Sequence, residues 1–366
     1  MAPSVAIIGT RGYPSYYGGF ETAVRALAPY LVNAGWEVCV YGRRGATTES
    51  AEDKDPRVLT RTTTGFETKS LSTLSYGFTS SLDAAVRKPD VALVMNVANG
   101  FWLPILRARG VPTLVNVDGI EWERAKWGGV AKSMFKTGAW ITSKVGNTLV
   151  SDSREIARRW ERDFGVKSEF IPYGGAFPRP LPVEVGLEHR KYVLVVSRLV
   201  PENTIPEFLI AASRLSIHLP VVIVGSSGYG GALDEAARRL SEENSNVRWL
   251  GHVSDDARLL SLWQHAGVYF HGHSVGGTNP ALVQAMACGA PTVARDTVYN
   301  REVLGESGVF VAPEPNEIYQ AVLEIAKAPT TADLMASAAI ERASGEYSWE
   351  RVCGAYLDAL TRLRER

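Results

Sequence analysis

An alternation that runs along half of this chain, halts and starts again narrows the fold more than any other feature. Short apolar runs (SVAIIG, EVCVYG, DVALVMN, TLVNVDG) alternate with longer amphipathic stretches at 20–33, 71–86 and 102–109. Short continuous apolar runs suit strands buried on both faces, and amphipathic stretches between them suit covering helices. The pattern therefore predicts a parallel sheet wrapped by helices. A strand at LVSDS and a helix over 155–164 complete this half. The sequence then turns to proline and glycine in EFIPYGGAFPRPLPVEVGLEHRKY, and the alternation restarts with KYVLVVSRL, 206–216, PVVIVG, 231–242, VRWLG and 255–265. A chain of 366 residues exceeds one ordinary core. We expect an α/β protein of two doubly wound, Rossmann-like domains facing a central cleft, at 1–172 and 190–345, with a linker at 173–189. A last helix at 346–366, with a stripe of Trp349, Val352, Tyr356, Leu360 and Leu363, follows.

Composition removes several classes of function. Basic and acidic residues balance at 39 each, so no global field draws the protein onto nucleic acid, and any anion recognition must be local. The three cysteines, Cys39, Cys288 and Cys353, are far apart in apolar surroundings and read as buried thiols. The apolar run Val5–Ile8 is too short for a secretion signal, and no run approaches the ~20 residues of a spanning helix. The expected location is cytoplasmic. The stretch 126–144 interleaves lysines with Trp127, Phe135 and Trp140, and is either an ordinary helix with snorkelling lysines or a peripheral contact at the inner face of a membrane.

VYFHGHSVGGTNPALVQAMACG, from Val268 to Gly289, carries the most chemistry. A strand breaks at HGHSVGGTNP, and a helix with a stripe of Leu282, Val283, Met286 and Ala287 opens at Pro280, where a missing N–H costs nothing. Glycines let the backbone of Gly277, Thr278 and Asn279 approach a ligand with N–H groups at the positive end of a helix dipole, as phosphate sites do. The same residues also suit a plain strand-to-helix turn capped by Asn279 or Thr278. His271 and His273 lie beside it without Asp or Cys at a ligand spacing, so no metal is expected.

The segment HSVGGTNPALVQAMACGAPTVARDTVYNREVLGESG resembles the donor-binding segment of glycosyltransferase family 4, whose usual form is a Glu-Gly-Phe-Gly-Leu-Pro run followed by Glu-Ala-Met-Ala. It is most similar to the bacterial rhamnosyltransferase subgroup that carries Gly-Gly-Thr-Asn-Pro. The resemblance implies the GT-B architecture, with a terminal helix crossing back to the first domain. It also implies donor contacts at Gly276, Gly277, Thr278, Asn279 and Gln284, and a nucleobase pocket near Gly251 and Val253. Arg198, after a strand, matches the family's diphosphate-binding arginine, although an ion pair with Glu202 is its plain alternative. The family's lysine is Asn203 here, and its two glutamates map to Gly276 and Gln284. A neutral Gln284 asks less of the ribose and suits a deoxyribose donor.

In the first half, GTRGYPSYYGGFE is not a dinucleotide fingerprint, since its spacing is wrong and Gly42-Arg43-Arg44 supplies no acid for a ribose. In family 4 such a loop, with Gly18-Gly19-Phe20-Glu21, lies over the donor diphosphate and borders the acceptor. Glu21 can equally well support the first turn of its helix. In NVDGIEWERAKW, Asp118 aligns with a family histidine that contacts the transferred sugar. It remains an acceptor able to hold or deprotonate a hydroxyl, unless Asp-Gly is only a turn. Asp118, Glu121 and Glu21 are the expected acceptor side, and Arg198 and Asp118 the expected catalytic pair.

The resemblance implies a retaining, metal-independent transferase without a resident cofactor. It would move L-rhamnose from dTDP-rhamnose to a glycan, a lipid-linked oligosaccharide or a small natural product. Loss of the lysine and both glutamates keeps open a non-catalytic nucleotide-sugar-binding protein, and a GT-B nucleotide-sugar epimerase is a third alternative that the residues fit less well than the transferase subgroup.

Overall fold

A computed structural model describes the chain except residues 1, 16–17, 47–53, 67–71, 118, 125–126 and 229. It divides into two compact units, Met1–Tyr173 with Trp349–Arg366, and Gly174–Ser348.

In the first unit β1 (Ser4–Ile8), β2 (Glu37–Arg43), β3 (Leu59–Thr63), β4 (Val91–Met95), β5 (Thr113–Asn116), β6 (Thr148–Ser151) and β7 (Glu169–Phe170) form a parallel sheet. The order is β3-β2-β1-β4-β5-β6-β7. The connections carry α1 (Gly19–Asn33), α2 (Ser72–Arg87), α3 (Leu103–Ala108), α4 (Gly129–Val145) and α5 (Arg154–Phe164). Residues Val91 to Met95 of β4 are all buried, as a strand covered on both faces requires. Val24, Leu27, Ala28 and Leu31 form the buried stripe of α1 against them. Each such Val or Leu contributes about 1.5–3 kcal/mol relative to leaving it exposed.

The second unit repeats the plan. Its strands are β8 (Val193–Val196), β9 (Val221–Val224), β10 (Val247–Trp249), β11 (Val268–His271), β12 (Thr292–Arg295) and β13 (Gly308–Val311), in the order β10-β9-β8-β11-β12-β13. Its helices are α6 (Ile205–Leu215), α7 (Ala232–Glu243), α8 (Asp256–His265), α9 (Pro280–Ala287), α10 (Val298–Leu304), α11 (Pro315–Ala326) and α12 (Pro329–Glu346). In both sheets the chain winds outward one way, returns to the centre and winds the other way. The loops after β1 and β4, and after β8 and β11, thus diverge at a topological switch point, where open parallel sheets bind ligands.

The last helix, α13 (Trp349–Arg364), belongs to the first unit. Val352, Tyr356, Leu360 and Leu363 are buried in the cluster that contains β1 and α1, and the Tyr356 hydroxyl accepts a bond from Asn116 Nδ2 at 2.7 Å. The proline- and glycine-rich stretch expected to be a linker is bonded to the second unit from Gly175 onward. Gly175 N–H donates to the Tyr347 carbonyl, Leu181 N–H to Gln264, and Arg248 to the carbonyls of Val185 and Gly186, while Glu184 pairs with Arg258. No described helix is long and apolar enough to cross a membrane.

Candidate functional site

In the second unit, the loops leaving β8 and β11 at the switch point are joined to each other. The Asn203 side chain is buried, and its Nδ2 donates to Ser197 Oγ at 2.9 Å and to the Arg198 carbonyl at 3.0 Å. It fixes the backbone that carries Arg198, and it brings no charge. Glu202 accepts at its carbonyl from the N–H (3.1 Å) and hydroxyl (2.6 Å) of Ser274, and Thr204 Oγ1 donates to the Gly272 carbonyl at 2.6 Å. A Cβ at Gly272 would stand 2.3 Å from the Asn203 carbonyl oxygen, so only glycine permits this approach. Arg198 is exposed, and its guanidinium has no partner among the described residues, so the alternative pairing with Glu202 is not formed.

The loop from β11 then reaches α9. Gly276 has φ +104°, and Asn279, not Thr278, is the cap, its Oδ1 accepting from Ala281 N–H at 3.0 Å. Pro280 occupies the first turn, and Leu282, Val283, Met286 and Ala287 are buried as the stripe predicts. The N–H groups of Gly277 and Asn279 have no partner among the described residues. They stand at the positive end of α9, an arrangement able to hold an anion.

Gln284 is bonded to its own chain. Its Oε1 accepts from Ala176 N–H at 2.9 Å and its Nε2 donates to the Ala176 carbonyl at 2.7 Å, so the oxygen assigned to a ribose hydroxyl is already engaged. The cause is the run 174–189 folding onto this unit. His271 is fully buried, with Nδ1 3.0 Å from the Tyr269 hydroxyl and its ring stacked 4.5 Å from that of His273. Burial, and then the neighbouring His273, push its pKa well below the ordinary value, so it is neutral at physiological pH. Gly251 has φ +62° and gives its carbonyl to Gly225 N–H at 2.6 Å, and Val253 packs on the apolar cluster behind it. Both follow β10, at the opposite edge from β13. Among the described residues no three His, Cys, Asp or Glu side chains are grouped as metal ligands.

In the first unit, Gly18 and Gly19 open α1 after the loop from β1. Glu21 is buried, and its Oε1 accepts the Arg11 N–H at 3.0 Å, so its carboxylate holds the loop. Glu121 is buried likewise, accepting from Trp127 Nε1 at 2.8 Å and pairing with Arg124 at 3.0 Å. These two expected acceptor contacts are both occupied with their own loops. Asp118, the third, lies outside the described residues, as does Lys126. Arg43 is buried against the Tyr76 ring and donates to Ser72 Oγ.

Three residues outside the expected motifs complete the second unit's candidate site: Thr204, Arg295 and Asn300. Arg295 ends β12 and donates from Nη1 to Thr204 Oγ1 at 3.0 Å, and Asn300 Nδ2 bonds the carbonyls of His273 (3.0 Å) and Arg295 (2.8 Å). The available signal was a charge directly after the apolar run PTVA.

Two family models match the chain, "Glycosyl transferase 4-like domain" over residues 18–174 and "Glycosyl transferases group 1" over 190–328. The chain belongs to the GT-B glycosyltransferases of family 4. It is 25% identical over 191 residues to the O-antigen chain mannosyltransferase B of Escherichia coli, covering 50% of this chain and 49% of that protein. It is 31% identical over 176 residues to the phosphatidyl-myo-inositol mannosyltransferase of Mycolicibacterium smegmatis, covering 46% and 44%. The chain thus spans about half the length of the curated relatives it matches. Sucrose-phosphate synthase from Thermosynechococcus elongatus has the same fold, with a TM-score of 0.80, 19% identity and 99% of both chains covered.

Proposed function

We propose that this chain transfers a sugar from a nucleotide-sugar donor to a hydroxyl acceptor, with retention and without a metal, and that the donor is dTDP-linked L-rhamnose. The observation that carries the reading is the joining of the Arg198 loop to the loop that opens α9, at the switch point between β8 and β11. Breaking a glycosidic bond to a diphosphate gathers negative charge on the leaving group. A guanidinium and preorganised N–H groups stabilise that charge more in the transition state than in the ground state. Arg198 and the amides of Gly277 to Asn279 take this role. In a retaining transfer the acceptor hydroxyl approaches on the face from which the diphosphate departs, and the departing phosphate helps take its proton.

The sugar and base rest on what stands at two positions. No carboxylate occupies 276 or 284, and the Gln284 amide is spent on Ala176, which supports a donor lacking one ribose hydroxyl. Both curated relatives are named mannosyltransferases, which makes a mannose donor the alternative to test against L-rhamnose. The acceptor is a glycan, a lipid-linked oligosaccharide or a small molecule. Val130 (87% exposed) and Trp140 (56%) on α4, beside Lys136 and Lys144, support peripheral contact at the cytoplasmic membrane face. Unaltered sedimentation with and without anionic vesicles would remove that contact.

The charge missing at Asn203 favours a second reading, a nucleotide-sugar-binding protein without turnover. A donor panel of dTDP-rhamnose, UDP-glucose and GDP-mannose, with candidate acceptors and mass detection of products, separates the readings. Glycosylated acceptor with free dTDP is expected. Glycosylation from only a UDP- or GDP-linked sugar overturns the donor, donor binding without any product supports the sensor, and epimerised donor without acceptor revives the epimerase.

A further inference from the structure

Resting on the donor-site reading above, we propose that Arg295 is a second donor-binding cation for the diphosphate, standing in for the charge that Asn203 does not supply. Arg295 leaves the carboxyl end of β12, one residue beyond the pair His271 and Ala294 that ends the β11 ladder, and therefore beside the start of the 272–279 loop. Its Nη1 is held by Thr204 Oγ1 at 3.0 Å. Thr204 is fully buried, adjoins Asn203, and ties the β8 loop to Gly272. The guanidinium is thereby oriented at the same corner from which Arg198 emerges.

Arg295 pairs with no carboxylate among the described residues. The nearest acid in sequence, Asp296, is taken by Arg301, whose Nε and Nη2 meet its two oxygens at 2.5 and 2.8 Å. A half-buried guanidinium without a carboxylate partner among the described residues is electrostatically incomplete until an anion arrives. Asn300 fixes the backbone on which Arg295 stands to the His273 carbonyl, so the cation and the loop share one support. Asn203 faces inward to Ser197 and to the Arg198 carbonyl and has no charge to contribute.

The test is calorimetric binding of dTDP, UDP, thymidine and inorganic pyrophosphate to the full chain and to Arg295→Gln. The variant should bind the diphosphate ligands roughly 10- to 100-fold more weakly, the size of a lost bond to a charged group, and thymidine unchanged. A variant-free arm uses phenylglyoxal on the native protein, with mass detection of the modified arginines. Arg295 should be protected by dTDP or pyrophosphate and not by thymidine. Protection of Arg198 alone, or undiminished diphosphate binding by Arg295→Gln, overturns this proposal and leaves the donor site standing. Failure of the native chain to bind any diphosphate overturns the donor-site reading itself.

Discussion

Gln284 and Ala176 are bonded like facing residues of a strand ladder, with the side-chain amide giving one hydrogen bond to the backbone of Ala176 and taking one from it. A carboxamide does both at any pH. A carboxylate at 284 would keep the bond from the Ala176 N–H but set a second acceptor against the Ala176 carbonyl, so one of the two bonds holding the start of the 174–189 run to α9 would be lost.

Gln284→Glu should therefore lower stability by about 1 kcal/mol at neutral pH, the scale of one hydrogen bond in a partly exposed setting. The introduced carboxyl regains a donor proton when it is protonated, so the loss should shrink as pH falls through its raised pKa. Thermal unfolding at pH 7.5 and at pH 5, on about that scale of difference, checks it. Identical melting curves at both would mean that Gln284 does not hold Ala176 in solution.

Arg198→Ala should cut turnover by about two to three powers of ten, the usual loss when a donor to developing charge is removed. Because its side chain is exposed and unpartnered among the described residues, the melting temperature should barely move. Near-normal turnover would remove Arg198 from the chemistry, whereas a large fall in stability would show that it supports the fold.

Glu21 offers a contrast between two substitutions. Glu21→Ala deprives the Arg11 N–H of its acceptor and should cost about 1–3 kcal/mol, while Glu21→Gln keeps an oxygen there and should cost much less. Urea unfolding of both variants measures this. Equal stability with equally reduced turnover would return Glu21 to the acceptor side, where the family resemblance puts it.

Thiol chemistry probes the packing independently. Burial pushes Cys288 and Cys353 up to about 12 and raises Cys39 as well, because a thiolate is penalised where water is excluded. At pH 8 a thiol of pKa 12 is ionised in only about one molecule in 10⁴. Titration with Ellman's reagent should find little reaction in the native protein and three equivalents in denaturant. Rapid native release of a full equivalent from Cys288 or Cys353 would contradict the packing.

Much of the fold was legible because strands covered on both faces must be largely apolar: β4, β8 and β9 are so throughout, and β1 and β11 depart from it only at an end, at Ser4 and His271. β3 escaped for the opposite reason: LTRTT is an edge strand, Leu59 is 60% exposed, and nothing apolar is demanded of it. At the site, the cap at Asn279 and the corner at Arg198 follow from local rules of turn and helix start. The occupations of Glu21, Glu121 and Gln284 do not, since a carboxylate or amide awaiting a ligand and one bonded to its own backbone are spelled alike. Gln284 finds its partner 108 positions away in the chain, and Arg295 finds Thr204 91 positions away, distances over which no periodicity reports.

The placement of α13 sets an order of events during synthesis. β1 leaves the ribosome more than 300 residues before Val352, Tyr356, Leu360 and Leu363, the side chains of α13 that close its apolar cluster. The intervening unit has all its own strands and helices earlier, so it can finish while its predecessor still waits with one flank uncovered. A nascent chain of this protein must therefore shield the apolar cluster around β1 until α13 has been made.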